Sequence, residues 1–155
     1  MELDEIKRRI ETALDTLYLV DNFLIRNGLC ERSLNHRFAM HLQTLFPEYF
    51  VDCEYNKSHV GDANIQKRLS SERFGNYVDM IVGKRNRDPA GDFICFETKK
   101  WNNTDRNAIA IDAEKLSILT DGNQFGYQYG FQLTYAPARE NVDILVYQHG
   151  TASEW

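Results

Sequence analysis

Apolar side chains recur at helical spacing along the first thirty residues. From Leu3 onward they return every three or four positions, which places them on one face of a helix. The residues of this face are Ile6, Ile10, Ala13, Leu14, Leu17 and Leu24. Gly28 suits the left-handed backbone position just past a helix end. The pattern therefore predicts one long amphipathic helix at the N-terminus.

A second helical stripe follows, and then the period changes. The stripe consists of Leu34, Phe38, Leu42 and Leu45. It stops before Pro47, and Glu31 lies in its first turn. Residues 49–55 are rich in β-forming side chains that alternate with polar ones, which predicts a strand. The polar stretch 56–76 then predicts a long loop, a kind of segment that is usually functional or mobile.

Short apolar runs alternate with turn residues in the rest of the chain. Residues 77–82 and 93–96 are two such runs, and the polar segment between them contains Pro89 and Gly91, which predicts a β-hairpin. Residues 108–120 have a helical pattern that Gly122 ends. Two further strands are predicted at 127–135 and 142–147. Helices and strands in this order indicate an α/β sandwich around a mixed sheet, in one domain spanning residues 1–155.

Composition favours a globular protein of the cytoplasm. Of the 155 residues, 43% are hydrophobic and 26% charged, which suits a packed core. The mixed charges of residues 1–10 do not resemble a secretory leader, and the apolar stretch 17–25 is too short to span a bilayer. The three cysteines have neither disulfide nor zinc-site spacing. We expect buried thiols in a reducing cytoplasm.

The charge of the chain is unevenly distributed. The net charge of −5 argues against a protein that coats nucleic acid, because such binding depends on Lys and Arg neutralising phosphates. Residues 57–87, however, contain seven basic and three acidic side chains, a local charge of +4. A local contact with nucleic acid is therefore compatible with the negative net charge of the chain.

The candidate chemistry lies on the predicted hairpin. Glu97 and Lys99 are two apart, so on a strand their side chains project from the same face. If the hairpin is symmetric about Asp88, Asp79 lies directly opposite Glu97. Two such carboxylates between apolar runs repel each other unless a cation lies between them. Oxygen ligands favour Mg²⁺ or Mn²⁺, and Lys99 would stabilise an attacked phosphate or help hold the deprotonated water.

These residues resemble the motif of the PD-(D/E)XK, or restriction-endonuclease-like, nuclease superfamily. Asp79 matches its acid and Glu97-Thr98-Lys99 its second part, while Val78 replaces its proline. The resemblance covers residues 31–147, without the long N-terminal helix. It implies a restriction-endonuclease-like mixed sheet flanked by helices, Mg²⁺-dependent cleavage of DNA, and a glutamate from the preceding helix, which Glu31 matches. It also implies homodimerisation, for which the amphipathic first helix is a candidate interface.

Four basic side chains are the candidate substrate contacts. Lys57 and Arg73 belong to the basic segment, and the loop 56–76 would help to hold the DNA strand. Lys100 directly follows the motif, where a basic residue near the phosphate would be useful. Lys115, on the next predicted helix, is a candidate phosphate contact, but an ordinary exposed lysine is the favoured interpretation.

Each of these residues also has a structural alternative. Glu97 and Lys99 could form a surface ion pair, and Glu31 could only complement the helix dipole. The aromatic side chains of residues 125–135 suggest base stacking, but core packing is the favoured interpretation. The alternative for the whole chain is a non-catalytic module that binds nucleic acid or protein. A small-molecule hydrolase ranks last, because neither a Gly-rich phosphate loop nor a Gly-X-Ser-X-Gly sequence is present.

Overall fold

The computed structural model describes residues 1–55, 57–58, 65–66, 78–85, 92–122 and 126–155. The α-helices of these ranges are α1 (Leu3–Val20), α2 (Asn22–Arg26), α3 (Glu31–Leu45) and α4 (Arg106–Thr120). The strands are β1 (Phe50–Tyr55), β2 (Lys57–Ser58), β3 (Ile65–Gln66), β4 (Val78–Gly83), β5 (Asp92–Lys100), β6 (Tyr129–Tyr135), β7 (Asp143–Gln148) and β8 (Thr151–Glu154). A 3₁₀-helix, Arg139–Asn141, precedes β7.

Six of the described strands form one mixed sheet, in the order β1-β4-β5-β6-β7-β8. Neighbouring strands are antiparallel except for β5 and β6, which are parallel and joined through α4. The predicted α/β class, the hairpin of β4 and β5, and the strands β1, β6 and β7 are therefore confirmed. The short strands β2 and β3 pair with each other apart from the main sheet.

Helices cover both faces of the sheet. The larger core lies between the sheet and the helices α1 and α3, whose apolar stripes are fully buried. The smaller core lies under α4 and includes Cys95, Leu116 and Tyr147. Because alternate residues of a strand face opposite sides, β5 contributes side chains to both cores. The side chain of Glu97 therefore faces α4, whereas that of Thr98 faces α3.

A glycine allows α4 to approach the sheet closely. A Cβ atom added at Gly130 of β6 would lie 3.1 Å from Leu116 Cδ2 and 3.1 Å from Thr120 Cγ2, both on α4. Such distances are tighter than ordinary packing contacts, so a larger residue would require the Leu116 and Thr120 side chains, or the helix that carries them, to shift. The contact matters because α4 carries side chains that reach the strand ends of β5.

Gly130→Ala should lower the free energy of unfolding by about 1 to 3 kcal/mol, the usual cost of overpacking a core. Urea unfolding followed by circular dichroism measures the change. Gly126→Ala is the matched control, because Gly126 is exposed and its substitution should have little effect. Equal stability of the two variants would show that α4 adjusts to the added methyl group without strain.

Several sequence expectations need correction. The N-terminal helix is not continuous: it ends at Val20, and α2 begins after Asp21. The Asp21 carboxylate binds side chains of α3: it lies 2.8 Å from Arg37 Nε and 2.7 Å from His41 Nε2. Gly28 nevertheless has the expected positive φ, +64°.

Two further elements differ from the expectations. The segment 56–76, predicted to be a loop, contains β2 and β3, and the rest of it lies outside the described residues. The sequence also failed to indicate β8, whose side chains are all exposed and have no apolar alternation. The strand predictions depended on apolar runs, so a short polar edge strand was missed.

The environments of the cysteines and of α1 also differ from the expectations. Cys30 and Cys53 are exposed and only Cys95 is buried, so the prediction of three buried thiols is wrong. The apolar stripe of α1, which suggested a dimer interface, is buried within the chain, and homodimerisation stays a prediction. No helix in the described ranges is long and apolar enough to cross a membrane.

Candidate active site

The pairing of β4 with β5 positions the two motif acids. Met80 pairs with Phe96 and Val82 with Ile94, which is the symmetry about Asp88 expected from the sequence. The pairing of the two strands ends with Met80 and Phe96, so the direct opposition of Asp79 and Glu97 is not one of its pairs. Asp79, the next residue of β4, instead binds Thr98, the neighbour of Glu97. Asp79 is half-buried and Glu97 is only 3% exposed.

Glu97 and Lys99 both meet charged partners from α4. The Lys115 ammonium forms an ion pair with Glu97 Oε1, and Lys99 Nζ lies 2.5 Å from Asp112 Oδ2. Both carboxylate oxygens are shielded from water, and neither has a hydrogen-bond partner of good geometry within the described ranges. The ion pairs thus bring opposite charges together without fully satisfying these oxygens.

Asp79 is held from the opposite face of β5. Its Oδ2 atom accepts a hydrogen bond from Thr98 N at 2.8 Å and lies 3.1 Å from Thr98 Oγ1. The same hydroxyl lies 2.9 Å from Asn35 Oδ1 of α3, which also accepts from Tyr135 OH at 2.9 Å. Among the described residues, no donor reaches Asp79 Oδ1. One oxygen of Asp79 is therefore fixed by Thr98, and the residue as a whole lines a groove on this side of the protein.

Glu31 reaches the same strand end from the start of α3. Its Oε2 atom accepts a hydrogen bond from Lys100 N at 3.1 Å, directly after the motif. Burial raises the pKa of Glu31; the charge of Lys99 opposes this shift and that of Asp79 adds to it. These effects place Glu31 in the electrostatic environment of both residues, where a purely solvent-facing helix residue would not lie.

The pKa shifts reflect this crowding of charges. Burial raises the pKa of Glu97 to about 8, although Lys115 opposes the shift. Burial also raises the pKa of Asp112, against the effect of Lys99. Burial acts to lower the pKa of Lys99, but its ion pair with Asp112 outweighs burial, and the pKa of Lys99 is raised. Protons are therefore held in this site more tightly than at the surface.

The donor set suits a hard divalent cation. Within the described ranges the cluster contains the carboxylates Glu31, Asp79, Glu97 and Asp112 against the ammonium groups of Lys99 and Lys115. When all are ionised, the sum is −2, which one divalent cation balances. Oxygen ligands are those that Mg²⁺ and Mn²⁺ prefer. In the present arrangement, no three His, Cys, Asp or Glu side chains of the described part converge as a metal-binding group.

A groove leads to this site along α3. Its volume is about 650 Å³, and Glu31 and Asp79 line it together with Arg32, His36 and Arg37. Arg32 is paired with Glu54, so the groove carries charges of both signs. Its size is within the range of about 300 to 1,000 Å³ that is usual for small-ligand sites. A nucleotide-sized group would thus have room beside the two acids.

The predicted substrate contacts have different environments. Lys100 Nζ donates to Gly28 O at 2.8 Å and lies 5.3 Å from the centre of the Trp101 ring. Lys115 is 5% exposed and turned toward Glu97, so the favoured interpretation as an ordinary exposed lysine is wrong. The side chain of Lys57 and all of Arg73 lie outside the described residues.

The aromatic side chains of β6 pack in the core, as favoured from the sequence. Tyr129, Phe131 and Tyr135 are at most 8% exposed, and Phe131 stacks on Phe96 with ring centres 5.2 Å apart. Tyr127 is likewise buried, in the smaller core under α4. Phe125 lies outside the described residues. These buried rings are not available for base stacking.

Sequence reasoning missed Asp112 as a member of the site. A signal was present, because Asp112, Leu116 and Leu119 are spaced i, i+4, i+7 and share the buried face of α4. A carboxylate on an apolar helical stripe requires a charged partner inside the protein. Asn35 was missed similarly, on the buried stripe of α3 beside Leu34 and Phe38.

No protein-family model matches the chain, and no curated protein matches it.

Proposed function

We propose that this protein is a Mg²⁺- or Mn²⁺-dependent nuclease that cleaves phosphodiester bonds of DNA, with a restriction-endonuclease-like fold. The observation that supports this best is the meeting of Glu31, Asp79, Glu97 and Lys99 at one end of the β4 and β5 hairpin. Three separate elements contribute these side chains, so their proximity is a product of the tertiary fold.

The order of elements supports the resemblance to the PD-(D/E)XK superfamily. Helix α3 precedes the sheet and carries Glu31, β4 carries Asp79, and the next strand of the sheet carries Glu97 and Lys99. Val78 replaces the motif proline at a buried strand position, where it contributes to the smaller core. The replacement therefore leaves the acidic side chains in place.

Each residue has a distinct role in the proposed reaction. Asp79, Glu97 and Glu31 would hold the divalent cation, which supplies Lewis acidity and lowers the pKa of a bound water. Lys99 stabilises the negative charge that develops on the attacked phosphate. The groove beside Glu31 and Asp79 accepts the adjoining nucleotide, and Lys100 lies next to this path. Water attack on phosphorus then breaks the phosphodiester bond.

One observation favours the alternative of a non-catalytic binding module. Glu97 and Lys99 are already neutralised by Lys115 and Asp112, so the cluster needs no external ion to balance these four charges. Such a protein would keep the fold and use the groove or the basic segment for binding. Within the described ranges neither Glu31 nor Asp79 forms an ion pair, and these two acids favour the nuclease.

The test is an assay of the purified protein on supercoiled plasmid, single-stranded DNA and RNA, with Mg²⁺, Mn²⁺ or EDTA. We expect DNA cleavage that requires the cation, and loss of both cleavage and cation binding in Asp79→Asn. Cleavage that persists in EDTA would contradict the proposal. A protein that retards DNA in a gel but cleaves none of the substrates would support the binding module instead.

A further inference from the structure

Helix α4 inserts two charged side chains into the protein beside the proposed metal ligands. Asp112 is 8% exposed and Lys115 is 5% exposed, on the helix face that also carries Leu116 and Leu119. Burying charges in this way is costly unless each has a specific partner. Their partners are Lys99 and Glu97, the two charged residues of the Glu-X-Lys motif.

We propose that Asp112 and Lys115 are positioning residues of the cation site. The Lys115 ammonium group stays paired with the Glu97 carboxylate until a divalent cation displaces it, and the Asp112 carboxylate holds the ammonium group of Lys99. This inference rests on the proposed function, since it concerns the same cation. It adds two residues that the motif does not include. It also assigns α4 a role in setting the affinity of the site for metal.

The geometry of the ion pair between Lys115 and Glu97 suggests that a cation could replace Lys115 as the partner of Glu97. Lys115 is within ion-pair distance of Glu97 Oε1, yet this buried oxygen lacks a hydrogen bond of good geometry within the described ranges. A purely structural buried ion pair is stable when hydrogen bonds satisfy its remaining polar atoms. A cation that contacts Glu97 directly would therefore compete well with the ammonium group.

The helix also offers Lys115 a place to move. Asp112 lies three residues earlier on α4, and side chains at this spacing are neighbours on a helix surface. When Lys115 leaves Glu97, it can pair with Asp112, which in turn loosens the contact between Asp112 and Lys99. The exchange makes and breaks ion pairs only, and it prepares Lys99 for the phosphate.

The experiment is calorimetric titration of the full chain with Mn²⁺ in the absence of nucleic acid. Lys115→Met should bind Mn²⁺ at least about tenfold more tightly than wild type, because a nearby like charge is removed. Asp112→Asn should bind it about tenfold more weakly, because a negative charge is lost and Lys99 is released. The controls Arg106→Met and Glu114→Gln make the same charge changes at exposed positions of α4 and should match wild type.

The two variants should change Mn²⁺ affinity in opposite directions, which distinguishes positioning residues from residues that only stabilise the fold. If Lys115→Met binds Mn²⁺ as wild type does, or more weakly, the inference is overturned. If circular dichroism shows that Lys115→Met is unfolded, Lys115→Gln removes the charge while keeping a polar group, and the same criterion applies to it.

A further variant distinguishes this inference from the proposed function. Loss of Mn²⁺ binding in Asp79→Asn, together with unchanged binding in Lys115→Met, would overturn the role of α4 alone. Absence of Mn²⁺ binding in wild type and in both Lys115 variants would overturn the metal site itself. Binding by a Lys115 variant where wild type shows none would support the competition directly.

Discussion

Lys99→Ala is expected to slow DNA cleavage by about 10²- to 10³-fold, the usual cost of losing one group that stabilises transition-state charge. In the proposed function the carboxylates form the cation site and Lys99 acts on the phosphate, so Mn²⁺ affinity should not fall. The Mn²⁺ affinity of Lys99→Ala is expected to rise, because the lysine no longer repels the cation. Single-turnover cleavage of plasmid and calorimetric Mn²⁺ titration of the same preparations measure the two effects separately.

Arg106→Ala is the matched control for this substitution, because it also removes one positive charge. Arg106 is exposed at the first position of α4 and lies outside the basic segment, so its removal should change neither quantity by a comparable factor. Asp79→Asn should behave differently from both, with weaker cation binding and weaker cleavage together. A Lys99→Ala protein that cleaves as fast as wild type would show that Lys99 has no part in the reaction.

The metal-free protein is expected to lose stability as pH rises from about 5 to 8. The pKa of Glu97 is about 8 in the folded chain, compared with an ordinary value of 4.5. Between these values the folded state keeps a proton that the unfolded state releases, so a higher pH favours unfolding. One such proton corresponds to a slope of about −1.4 kcal/mol per pH unit. Urea unfolding in EDTA at several pH values measures this slope.

Glu97→Gln isolates the contribution of this residue to the pH dependence. Burial also raises the pKa values of Glu31 and Asp112, so some decline should remain in the variant. The slope for Glu97→Gln should nevertheless be shallower than that of wild type by about one proton. Glu140→Gln, at an exposed position, should retain the wild-type slope. Identical slopes for wild type and Glu97→Gln would mean that Glu97 is ionised throughout this pH range.

The parts of the fold with strong periodicity were predictable from the sequence. The stripes of α1 and α3, the glycines that follow α2 and α4, and the hairpin of β4 and β5 all depend on local patterns. The register about Asp88 holds from Met80 to Val82 and shifts between Val82 and Gly83. The local pattern thus predicted that Asp79 and Glu97 lie near the same end of the hairpin, but their direct opposition is not one of its pairs.

The remaining features depend on contacts between distant residues. The break at Asp21 reflects contacts with Arg37 and His41 of α3, which no local pattern reveals. The ion pairs of α4 depend on the crossover between β5 and β6 and on the close approach at Gly130. Local periodicity showed that residues 108–120 are helical but not which strand they cover. The contacts of Asp112 and Lys115 with Lys99 and Glu97 could therefore be recognised only from the three-dimensional structure.

The buried ion pairs between α4 and β5 also bear on how this protein would respond to directed evolution for heat resistance. Replacing both members of a buried ion pair with well-packed apolar residues is often neutral or stabilising, whereas removing one member is strongly destabilising. Paired replacements at Glu97 with Lys115, or at Lys99 with Asp112, are therefore among the changes that thermal selection would favour. A library screened for folding alone would then tend to lose the candidate chemistry while improving the scaffold. Any such screen should include a Mn²⁺-binding step.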